Sequence, residues 1–76
     1  MVAISLDKPG RRYLHTKTRF YHVYGHPYGC LELERASDGA SAFFQGEDAG
    51  ILEDEIERAS PRMLNAVLDQ YDDILA

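Results

Sequence analysis

The chain has 76 residues and a formal net charge of −5, with 13 acidic against 8 basic side chains, and it carries one cysteine. A chain of this length supports one hydrophobic core and a single domain over residues 1–76, a lone cysteine excludes an internal disulfide framework and any multi-cysteine zinc ribbon, and no apolar run approaches the roughly 18 residues of a membrane span. The charge is divided: residues 1–35 hold six bases against three acids, and residues 36–76 hold ten acids against Arg58 and Arg62, so the halves carry +3 and −8.

In chain order, Val2, Ile4 and Leu6 alternate with Ala3 and Ser5 as in a half-buried strand, and Asp7-Lys8-Pro9-Gly10 supplies turn chemistry. The opening residues Met1 to Leu6 lack the basic and long apolar regions of a signal peptide, and with the free thiol this gives the expectation of a soluble cytoplasmic protein. Thr16 to Tyr24 is rich in β-branched and aromatic residues and reads as one strand, with Phe20, His22 and Tyr24 on one face and Tyr21 and Val23 on the other; residues 11–18 are compatible with strand or loop. Gly25 to Gly29 is a connection. Cys30 to Arg35 alternates again, with Leu31 and Leu33 as its core face. Ser37-Asp38-Gly39-Ala40 is a tight turn, and Ser41 to Gln45 the last short strand.

From Glu47 the period changes. Ala49, Leu52, Ile56 and Ala59 form a helical stripe, with Glu47 and Asp48 in a first turn where the helix dipole favours anions. Ser60-Pro61 reads as the N-cap and first position of a second helix, whose stripe runs through Leu64, Val67, Leu68, Tyr71 and Leu75. Strands first and helices second predict an α+β fold: a small antiparallel sheet of three to four strands (1–45 mostly strands), then two helices over 47–75 packed on one face.

No catalytic or cofactor motif is present, and the chain reads as a non-enzyme. His22, His26 and Cys30, spaced four and four, are residue types that zinc accepts, and a metal-binding regulatory domain is the alternative they suggest; the usual zinc spacings are missing, and a loop histidine, a strand histidine and a small buried thiol explain them more simply. Cys30 lacks a following helix N-terminus, and Glu32 and Glu34 oppose its ionisation, which argues against a thiol nucleophile. Gly25–Gly29 and Gly46–Gly50 lack phosphate-loop patterns and a Lys-Ser/Thr continuation, so nucleotide binding is not expected. The basic, aromatic strand 11–24 has the cations and rings of a small nucleic-acid-binding domain, but the −8 half opposes a polyanion and makes direct binding unfavourable.

The acidic helices remain. With Leu52 and Ile56 inward, Glu47, Asp54 and Glu57 point outward, and Asp69 and Asp73 point away from Leu68. As an i, i+4 pair on one helix, Asp69 and Asp73 repel, and Asp72 and Asp73 sit near its carbonyl end, where anions cost about 0.3–1 kcal/mol each. Two arrangements would compensate them: a basic partner surface, or the basic half of the same protein, within the chain or across a homodimer. The expectation is an acidic protein-interaction module whose partner-binding residues are Glu47, Asp54, Glu57, Asp69 and Asp73, acting as a nucleic-acid-mimicking inhibitor of a basic protein surface, with no cofactor, no metal and no membrane. In size and charge, and in no motif, the chain is similar to small phage-encoded inhibitors of bacterial immune complexes such as anti-CRISPR proteins.

Overall fold

The computed structural model describes residues 12–76. The strand expected at Val2–Leu6 and the turn at Asp7–Gly10 lie outside the described residues. Four strands, β1 (Tyr13–Lys17), β2 (Tyr21–Gly25), β3 (Leu31–Arg35) and β4 (Ser41–Phe44), form an antiparallel meander in the order β1-β2-β3-β4. Two helices follow, α1 (Gly46–Arg58) and α2 (Pro61–Asp69), and a short 3-10 turn over Asp72–Ile74 leads to the last residues. The fold is small α+β, with the sheet first and both helices after it.

The alternation of apolar residues explains which face the helices cover. Tyr21 and Val23 on β2, Leu31 and Leu33 on β3 and Phe44 on β4 project to one side, where Ala49, Leu52 and Ile56 of α1, Leu68 of α2 and Leu75 close over them. Val23, Leu33, Leu52 and Leu68 are completely enclosed. Each such side chain contributes about 1.5–3 kcal/mol by leaving water, a gain that offsets part of the conformational entropy lost on folding.

The segment read as one strand over Thr16–Tyr24 is two strands joined by a turn. Thr18 N–H donates to Tyr21 O at 2.8 Å, and the Thr18 hydroxyl accepts from the backbone N–H of Tyr21 at 3.0 Å and of Phe20 at 3.3 Å. A threonine that bonds its own backbone in this way competes with the sheet ladder, so a β-branched residue makes the turn. Residues 13–17 then form β1, with an irregularity between Leu14 and Thr16.

The other connections follow the expected chemistry. Between β3 and β4, Asp38 Oδ1 accepts from Ala40 N–H at 3.0 Å, and Gly39 takes φ +78°, where a side chain would be strained. Gly25 is needed for another reason: a Cβ there would fall 2.2 Å from Cζ of Tyr13, whose ring lies across the bare backbone. The free edge of β4 is partly occupied, because Ala76 exchanges two backbone hydrogen bonds with Ser41, at 3.1 and 3.2 Å.

The second helix ends earlier than its stripe suggests. It stops at Asp69, yet Tyr71 still packs on the core and Leu75 is buried beyond the 3-10 turn. Ser60 is at the N-cap with extended backbone, but its side chain makes no capping bond.

Candidate functional site

The five carboxylates expected to bind a partner fall into two environments. On α1, burial of Ala49, Leu52 and Ile56 fixes the rotation of the helix, and at 100° per residue this sends Glu47, Ile51, Asp54 and Arg58 to the opposite side, with Glu57 on its flank. All five are exposed, and Ile51 is 51% exposed in the middle of that face. Asp54 pairs with Arg58 at 3.1 Å across one turn; Glu47, Asp48 and Glu57 have no ion pair among the described residues. A surface pair like Asp54–Arg58 contributes only a few tenths of a kcal/mol, leaving the face acidic around one apolar side chain.

Asp69 and Asp73 are arranged differently. Because α2 ends at Asp69 and Asp73 lies in the 3-10 turn, they are not an i, i+4 pair on one helix, and the repulsion expected of such a pair does not apply. Asp73 is exposed. Asp69 Oδ1 lies 2.7 Å and Asp72 Oδ1 2.9 Å from the hydroxyl of Tyr21, whose single proton serves both. Arg35 completes the cluster: Nε donates to Asp72 Oδ1 at 2.9 Å, Nη2 to the Asp72 carbonyl at 3.3 Å, and Nη1 to Asp38 Oδ2 at 2.7 Å. Of the two arrangements that would compensate an anion at position 72, the structure has the second: its carboxylate is taken up by Arg35, a base of the chain's own basic half.

The titration behaviour follows from these partners. The Arg35 guanidinium, and then the Tyr21 hydroxyl, hold the Asp72 carboxyl below the usual carboxylate range. Asp38 is likewise lowered, first by the Ala40 N–H and then by Arg35. Burial pushes the Tyr21 phenol up, and the hydrogen bonds and negative charge of Asp69 and Asp72 add to it. Burial and then a hydrogen bond to Glu55 push Tyr71 up to about 12.

The histidines are each turned to a glutamate. His22 Nδ1 is 3.4 Å from Glu34 and His26 Nε2 is 3.0 Å from Glu32, with the His26 ring edge-on to Phe43; Cys30 is a free, half-buried thiol. Among the described residues no three His, Cys, Asp or Glu side chains are gathered to hold a metal ion. The basic aromatic strand is also internally engaged. Arg12 donates to Glu32 at 3.0 Å and its guanidinium lies 4.0 Å from the centroid of the Tyr24 ring, so one cation and one ring that a nucleic acid would use are spent on each other. No helix among the described residues is long and apolar enough to cross a membrane.

No protein-family model, no curated protein and no solved structure matches this chain.

Proposed function

We propose that this chain is a non-enzymatic protein-interaction module that presents the outer face of α1 to a basic protein surface, with Glu47, Asp54 and Glu57 as the principal carboxylates and the exposed Asp73 of the 3-10 turn as an outlying one, Asp69 being held by Tyr21. The observation that carries the reading is Ile51, half exposed in the middle of an acidic helix face whose rotation is fixed by three buried residues. An apolar anchor ringed by charge has the layout of an interface centre with a polar rim: the anchor slows dissociation and the charges steer encounter. A groove shaped for phosphates attracts a rigid array of carboxylates by the same electrostatics, which supports an inhibitor that mimics nucleic acid.

The test is capture of partners from the native host, followed by binding kinetics with the purified partner. A basic protein is expected. The variant E47Q/D54N/E57Q should associate about tenfold more slowly at low salt and with a shallower salt dependence, while Ile51→Ser should chiefly speed dissociation. Unchanged rates and salt slope in the neutralised variant, or recovery of no basic partner, would remove this reading.

A further inference from the structure

Where the β1–β2 turn meets α2 there is a cleft of about 740 Å³, inside the range of roughly 300–1,000 Å³ typical of small-molecule sites. It is separate from the outer face of α1 and rests on different residues. It is lined by Arg19 and Phe20 of the turn, by Arg62, Asn65 and Asp69 of α2, and by Arg35 and Ser37 where β3 ends.

Its chemistry is one-sided. Arg35 is already balanced by Asp72 and Asp38. Arg19 and Arg62 have no carboxylate within ion-pair distance among the described residues. The Asn65 amide oxygen accepts from the Thr18 hydroxyl at 2.8 Å, which leaves its N–H groups to donate. Two guanidinium-bearing residues, an amide and the Ser37 hydroxyl thus line one cavity as donors, and the acceptor among the charged lining residues is Asp69, one oxygen of which is held by Tyr21. Phe20 is half exposed at the mouth, with the Arg19 guanidinium 5.5 Å from the centroid of its ring, so one ring face is shared with that cation.

We infer that this cleft binds a mononucleotide: a phosphate monoester between Arg19 and Arg62, a planar base against the face of Phe20 that Arg19 does not cover, and a sugar hydroxyl donating to the remaining oxygen of Asp69. Bidentate guanidinium contacts suit a phosphate, and an aromatic face suits a base of any identity. A small dianion is favoured over a long polyanion because the acidic half of the chain repels charge that extends beyond the cleft.

The experiment is NMR titration of the intact protein with AMP, adenosine, inorganic phosphate and a single-stranded decanucleotide, read at the Asn65 side-chain amide and the backbone amides of residues 18–21 and 62–69. AMP should shift these signals with saturation below ~10 mM, the weak end of specific binding. Adenosine and phosphate alone should each bind at least about tenfold more weakly, as expected when one half of the contacts is missing. Arg19→Gln and Arg62→Gln, both at exposed positions, should each weaken AMP by about tenfold while circular dichroism stays that of the parent, and Arg12→Gln, outside the cleft, should leave AMP affinity unchanged. Absence of AMP-induced shifts, phosphate binding as tightly as AMP, AMP affinity unaffected by both arginine variants, or an oligonucleotide binding more tightly than AMP would each overturn the assignment.

Discussion

The outer face of α1 and the end of α2 are both acidic, and they use their carboxylates in opposite ways. At the end of α2, Asp69 and Asp72 share the Tyr21 hydroxyl, and Asp72 takes the guanidinium of Arg35. On α1, Glu47 and Glu57 stand in water with nothing in the described chain to bind. The difference shows how position along the sheet decides the role of a charge. Arg35 ends β3 beside the 3-10 turn and can reach a carboxylate there, whereas the far side of α1 faces away from the sheet altogether. The α2 end is therefore part of what holds the fold, and the α1 face is available to something else.

Substitutions can sharpen that contrast. The largest effect belongs to the residue that seats α2. Leu68 is fully enclosed, and Leu68→Ala should cost about 2–5 kcal/mol through lost transfer energy and a residual cavity, a large part of the stability of such a domain. A denaturant melt reads the shift, and an unchanged midpoint would mean that α2 does not share the sheet's core.

Tyr21→Phe comes next. It keeps the buried ring but removes the proton shared by Asp69 and Asp72, and a cost of about 1.5–3 kcal/mol is expected for a hydrogen bond to charged groups. The same residue sets the alkaline behaviour. The folded protein holds the Tyr21 phenol protonated, while the unfolded chain releases that proton near pH 10, the ordinary value; above it the unfolded state binds fewer protons, and stability falls as pH rises. Melts from pH 8 to 11 should therefore show a decline that is shallower in Tyr21→Phe, with the raised phenols of Tyr71 and Tyr24 contributing to the remainder. Equal slopes would separate the hydroxyl from the carboxylates.

The smallest effect is the one that matters for the α1 face. Neutralising Glu47, Asp54 and Glu57 together should change stability by no more than about 0.5 kcal/mol, as for surface positions with no buried partner. A clear loss of stability would show that these charges, like those of α2, are engaged in folding.

Much of the architecture was readable from periodicity. Leu31 and Leu33 alternate against Glu32 and Glu34, Asp38-Gly39 marks its turn, and the change of period at Glu47 falls one residue inside the start of α1 at Gly46. What escaped was decided by single side chains or by distance. Thr18 has the composition of a strand and the hydrogen bonding of a turn, so nothing in the residue types between Thr16 and Tyr24 marks the break. The apolar stripe from Leu64 to Leu75 continues past the end of α2 because a 3-10 turn can deliver Leu75 to the same core. Arg35 and Asp72 are 37 residues apart, and only the packing of α2 on the sheet brings them together. The outward direction of Glu47 and Asp54 followed from the wheel; the cleft beside Arg19 and Arg62 did not, since its two walls are joined by no local pattern.

The ring of Tyr13 lying on Gly25 links two positions that cross-strand pairing sets side by side. A side chain at 25 is accommodated only when the ring at 13 swings out into solvent, and a small residue at 13 uncovers the β2 backbone unless 25 fills the space. Variation at these two sites is therefore joint: among sequences that share this fold, an aromatic residue at 13 should accompany glycine at 25, and a bulkier residue at 25 should accompany a smaller one at 13, so that the pair behaves as a single inherited character.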